Sequence, residues 1–231
     1  MKNSIFLFFV TATILALASC GERTITEDET NVPLDPASTP IYATPTEAAD
    51  QAKADLLAIL QQQPDLNLGI DAETLSAATA AAPIAQQQLN FNRLLNADSS
   101  ASLTDLVQEA LPTVVPFRTA QQVVTVASIV PADNGWQLAE LAGQGLTQDL
   151  NSVMAATQAS AGNIRILQVP NLQATIFAVD YDGYTSYHTR YKGMPIEEGL
   201  DEAYLLNILT RDARRFEEEF GAEVRQQQLV R

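Results

Sequence analysis

The chain has 231 residues with 13 basic against 28 acidic side chains, a formal net charge of −15. That balance argues against nucleic acid and against docking directly on anionic lipid, since both need clustered positive charge. Hydrophobic residues make up 46%, enough for most of the chain to bury a globular core.

The first twenty residues give an address. Met1-Lys2 leads into an apolar run from Ile5 to Leu17, closed by Leu17-Ala18-Ser19-Cys20. A charged start, a short apolar body and a small-residue exit are the three parts of a secretory signal. The run is too short to cross a bilayer, which takes about 20 apolar residues, and no later run is longer. Leu17-Ala18-Ser19-Cys20 resembles the lipobox of bacterial lipoproteins, a resemblance that covers residues 1–20 alone. It implies that Leu17, Ala18 and Ser19 are recognised by the signal peptidase and that residues 1–19 are removed. It also implies lipidation of Cys20, hence a membrane partner through a lipid anchor in the bacterial cell envelope. Gly21 after the cysteine resembles an outer-membrane address. Cys20 is the only cysteine, so no intramolecular disulfide can form, although export permits one. Two or more acyl chains on one residue hold a protein stably at a membrane. Residues 1–19 carry Lys2 and no acid, so the processed chain keeps 12 basic and 28 acidic residues, a net of −16.

Residues 21–43 read as a tether. They hold Glu22, Glu27, Asp28, Glu29 and Asp35 together with Pro33, Pro36 and Pro40, a composition that cannot bury enough surface to offset its ordering entropy. The folded part is expected over residues 44–221. Thr44-Pro45-Thr46-Glu47 is a capping box with proline at the first helical position, opening a helix to about Gln62. Asp71 caps a second helix through Thr79. Residues 84–97 read as extended to Asn90, then helical through Phe91, Leu94 and Leu95, and Leu103 to Ala110 reads as a short helix ended by Pro112.

From there the apolar period changes from helical to two. Val114–Arg118, Val123–Val130 and Trp136–Leu141 read as strands, with Asp133-Asn134-Gly135 as a hairpin turn. A helix over Leu146–Thr157 follows. Three more strands are expected over Ile164–Val169, Leu172–Val179 and Tyr184–Tyr191, the last two joined by Asp182-Gly183. A final helix covers Leu200–Phe220, with Leu205, Leu209, Ala213, Phe216 and Phe220 on one face, Gly221 placed to end it and residues 222–231 as a frayed tail. The fold class is therefore α+β. A mostly antiparallel sheet of about six strands is expected, as two three-stranded meanders each followed by a helix, with further helices at the N-terminus.

Catalytic signatures are absent: there is no nucleophile elbow, metalloprotease helix, phosphate loop or dinucleotide fingerprint. His188 is the only histidine, so no multi-histidine metal site can form, and no cofactor is indicated. The nearest carboxylate pairs are Asp180 with Asp182, beside a tight turn that favours aspartate, and Glu197 with Glu198, ahead of a helix whose dipole favours acids. One feature stands out. A two-residue turn at Asp182-Gly183 puts Tyr184, Ser186, His188, Arg190 and Lys192 on one face of the last strand. Three basic side chains there form a candidate anion- or partner-binding strip of Tyr184, His188, Arg190 and Lys192. The alternative is an edge strand charged against aggregation. The reading that follows is a lipid-anchored envelope lipoprotein with a non-catalytic module for a protein or polymer partner. The alternatives are a small-molecule carrier with a pocket between sheet and helices, and a hydrolase using carboxylates alone.

Overall fold

The computed structural model describes residues 40–63, 68–98, 100–110, 112–141 and 143–228. The signal, the lipobox, Cys20 and most of the tether lie outside the described residues. The fold is α+β, with nine strands in two sheets among the described residues. Helix α1 (Pro45–Gln62) starts as its capping box requires: Thr44 Oγ1 accepts from the Glu47 N–H at 3.1 Å, and the Glu47 carboxylate accepts from the Ala43 N–H at 3.1 Å. Helix α2 (Ala72–Ala77) is capped by Asp71, whose side chain accepts from the Thr74 N–H at 2.7 Å. It stops two residues before Thr79 because the chain extends there into β1 (Thr79–Ala80).

The first sheet runs β1-β4-β5-β6, with β4 at Thr113–Arg118, β5 at Val123–Ala132 and β6 at Gly135–Leu141. The second runs β3-β2-β7-β8-β9. Its strands are β2 (Ala85–Leu89), β3 (Val107–Ala110), β7 (Ile164–Val169), β8 (Ala174–Tyr181) and β9 (Tyr184–Thr189). Both expected meanders are present, and β2 joins β7 in parallel. The sheets are stitched where Ile84 and Val114 exchange backbone hydrogen bonds of 2.7 and 3.0 Å.

Three expectations are corrected. Leu103–Ala110 is not a helix: a single 3₁₀ turn at Thr104–Leu106 gives way to β3, because the open edge of β2 offers Val107–Ala110 a ladder. Tertiary pairing there overrides the weak helical preference. The tether ends earlier than residue 43, since Tyr42 pairs with Trp136 through hydrogen bonds of 2.9 and 2.8 Å and extends the β6 edge. Gly135 permits that approach, because a Cβ there would lie 2.2 Å from the Tyr42 carbonyl oxygen. Finally, Gly221 does not end the last helix, α5 (Glu202–Gln228), which runs through most of the expected tail.

Two other helices complete the layers. Helix α3 (Phe91–Leu95) is capped by Asn90, and helix α4 (Gln144–Thr157) follows β6. The core between the sheets is shared by Val114, Val123 and Val126 of the first sheet, Ile166, Phe177 and Val179 of the second, and Leu150 and Val153 of α4. Ala48 and Ala49 of α1 cover the other face of the first sheet over Val115, Phe117 and Ile129. Leu205, Leu209 and Ala213 of α5, with Leu94 of α3, cover the other face of the second over Leu167, Ile176 and Ala178. The central strands of both sheets are thus covered on both faces.

Candidate functional site

That layering decides the fate of the basic strip. The β8–β9 register is the expected one, with Tyr181 opposite Tyr184, Val179 opposite Ser186 and Phe177 opposite His188. The face carrying Ser186 and His188 nevertheless turns inward, so the strip is not one exposed surface. Tyr184 is exposed at the turn and stacks on Tyr181 with ring centroids 4.8 Å apart. His188 is 3% exposed. Its Nδ1 lies 2.9 Å from the Ile196 carbonyl oxygen, and its Nε2 lies 3.2 Å from Ser186 Oγ. A carbonyl only accepts, so Nδ1 carries a proton and donates to Ile196, while Nε2 shares a hydrogen bond with the serine hydroxyl. The arrangement clips the segment after β9 onto the strand.

The strand ends at Thr189, and alternation ends with it. Arg190 reaches sideways to α4, donating to Asp149 at 2.6 Å and Ser152 at 3.2 Å, with Glu197 at 3.7 Å. Lys192 takes a left-handed conformation, φ 55°, and swings to α5, where its Nζ is 2.6 Å from Asp212. One member of each carboxylate pair lies beside a cation, Glu197 beside Arg190 and Asp180 beside Arg165. Asp180 is clamped by Arg165 through hydrogen bonds of 3.0 and 2.9 Å, and that guanidinium holds its carboxyl below the usual range. Among the described residues no group of His, Cys, Asp and Glu could hold a metal ion.

A site does form elsewhere, on α5. Its Leu205, Leu209 and Ala213 stripe is buried as expected, Phe216 is half-buried edge-on to Phe91 at 5.5 Å, and Phe220 is exposed. Beside it runs a second stripe at helical spacing: Leu206, Asn207, Thr210, Arg211, Arg214 and Arg215. With Ala97 and Asp98 after α3, these line a groove of about 820 Å³, with Ala203 and Glu218 as its outermost helical residues. At 1.5 Å per residue that stretch is roughly 22 Å long.

The groove's charge is arranged around one buried acid. Asp212 is 3% exposed and meets Lys192 at 2.6 Å, Arg211 at 3.5 Å and Arg215 at 3.8 Å. The Tyr191 hydroxyl donates to it at 3.1 Å. Burial opposes its ionisation, but Lys192 and Tyr191 outweigh that and hold the carboxyl below the usual range. Burial, then the Asp212 charge, pushes the Tyr191 phenol up to about 12. One carboxylate thus faces three cations; with Arg214, and with Asp98 and Glu218 on the lining, four cations stand against three carboxylates, a surplus of one. Arg214 anchors the opposite wall by donating to the carbonyls of Leu95 at 3.0 Å and Ala97 at 3.2 Å. Thr210, 7% exposed, has a hydroxyl with no hydrogen-bond partner.

Sequence reasoning passed over this groove. Three arginines within five residues of an acidic chain were a readable signal, but only the apolar stripe of this helix was read. The burial of Thr210 and Asp212 had no sequence signal. No protein-family model matches the chain, and neither a curated protein nor a solved structure does. Among the described residues no helix is long and apolar enough to cross a membrane.

Proposed function

We propose that the chain is a non-catalytic module of the bacterial cell envelope, held at the outer membrane by lipid on Cys20, that binds an acidic segment of a partner protein along α5. The observation that carries the reading is the surplus of guanidinium charge in one groove of a chain with net charge −15. Complementary charge of this kind sets orientation and encounter rate more than raw affinity. A peptide suits the lining better than a uniformly anionic polymer. Leu206, Ala203 and Ala97 offer apolar wall, while Asp98 and Glu218 would repel an unbroken run of negative charge.

The test is site-specific cross-linking in intact envelopes, with a photoreactive side chain replacing the exposed Asn207. The expected product is one envelope protein joined through an acid-rich stretch, lost in R211A/R215A. Cys20→Ser should release the chain from the membrane fraction. Cross-links to glycan alone, or a pattern unchanged by the arginine substitutions, would contradict the groove; membrane retention by the serine variant would contradict the anchor.

A further inference from the structure

We propose that a recess at the β1 edge of the first sheet binds a small carboxylate, gripped by the Arg118 guanidinium with the Thr79 hydroxyl beside it. The recess holds about 400 Å³ and is lined by Arg118, Thr79, Thr119, Ala77, Ala81 and Ala120. Its place follows from the strand order. β1 is the edge strand, and Thr79 stands directly opposite Arg118 on β4, so both side chains leave the sheet on one face. Helix α2 ends at Ala77, just before that strand, and Lys53 of α1 donates to the Ser76 and Ala78 carbonyls, which holds the corner in place. On the other side Thr119 Oγ1 accepts from the Gln121 and Gln122 N–H groups at 3.4 Å, closing the turn between β4 and β5.

The charge in this recess is unpaired. Arg165, Arg190, Lys192 and Arg214 each reach a carboxylate or a carbonyl. The Arg118 side chain makes no hydrogen bond or ion pair among the described residues, and no Asp or Glu lines the recess. Its Nε is buried without a partner, so that edge of the cation has lost water without a replacement. Nη1 and Nη2 are not sealed in this way and are the donors left to a ligand. A cation already stripped of part of its hydration loses less when an anion arrives, and the two Nη donors match the two oxygens of a carboxylate. One guanidinium balances one negative charge, which suits a monocarboxylate better than a phosphate dianion in a chain of net charge −15. The methyls of Ala77, Ala81 and Ala120 suit a short aliphatic group behind the carboxylate. Such a group is carried by a free short-chain acid or by the carboxyl terminus of a peptide. The site is separate from the α5 groove and shares no residue with it.

The experiment titrates the full chain with propionate, N-acetyl-alanyl-alanine and inorganic phosphate, for the parent, R118Q, T79V and R211A/R215A, with thermal unfolding of each. At least one of the two acids should bind the parent saturably. R118Q should weaken that binding by about tenfold or more, and T79V by about three- to fivefold. R211A/R215A should leave it unchanged, since those arginines lie in the other groove. Tighter binding of the dipeptide assigns the carboxyl terminus of a peptide; tighter binding of propionate assigns a free acid. Thr79 is exposed, so T79V decides alone if R118Q does not fold. Saturation by neither acid, binding by folded R118Q equal to the parent, or unchanged binding by T79V would overturn the site as drawn. Phosphate bound more tightly than both acids, and lost in R118Q, would overturn the carboxylate assignment.

Discussion

At the scale of single residues, Asp212 stands out among the described residues, meeting three cations and a phenol. Its folded carboxyl is held below the ordinary aspartate value of about 3.9. A depressed carboxyl contributes stability that is fully present above the unfolded value and is lost as pH falls through the folded one. Asp212→Asn should therefore cost about 1.5–3 kcal/mol near neutrality, the worth of hydrogen bonds to a charged group. The difference from the parent should shrink below about pH 4. Denaturant unfolding across pH measures it; an equal cost at pH 3 and pH 7 would show that the loss is one of shape rather than charge. His188 teaches the converse lesson. Its place opposite Phe177 was legible from a two-residue turn, but its burial was not, because alternation cannot say which faces of a sheet another layer covers.

At the scale of elements, local signals were the readable ones. The capping box at Thr44 and Glu47, the Asp71 cap and the two hairpin turns act within a few residues, and each sits where the sequence puts it. What failed was long-range. The β3 strand exists because β2 presents an edge to it, and β2 in turn lies parallel to β7 across almost eighty residues of intervening chain. Helix α4 shows how such distant parts are fixed. Asn151 accepts from the Val123 N–H at 2.7 Å and donates to the Val123 carbonyl at 2.8 Å, tying the helix to the first residue of β5. Asn151→Ala leaves both backbone groups without that partner and should cost about 1–3 kcal/mol. Asn151→Asp keeps the acceptor and loses the donor, so it should not restore the parent. Stability equal to the parent in either variant would show that the clamp is dispensable.

At the scale of the whole molecule, the two sheets are interleaved in sequence: β1 belongs to the first, β2 and β3 to the second, β4 to β6 to the first again, and β7 to β9 to the second. That weave covers both faces of the central strands and leaves α1 and α5 as outer helices, of which α5 carries the arginine-lined groove. Overall charge repels an acidic ligand while the groove attracts one, and over distances beyond a Debye length of about 8–10 Å the two are screened apart. Binding therefore has to be local to the arginines rather than a property of net charge. Titrating the full chain with a peptide whose glutamates are spaced by leucine and alanine, at several salt concentrations, tests this most directly, comparing the parent with R211A/R215A. Both arginines are more than half exposed, so the double variant should fold with nearly unchanged stability. The account expects saturable binding to the parent that weakens as salt rises, and a loss of about tenfold or more in the variant. Indistinguishable titrations for the two chains, or no binding to the parent at low salt, would contradict it.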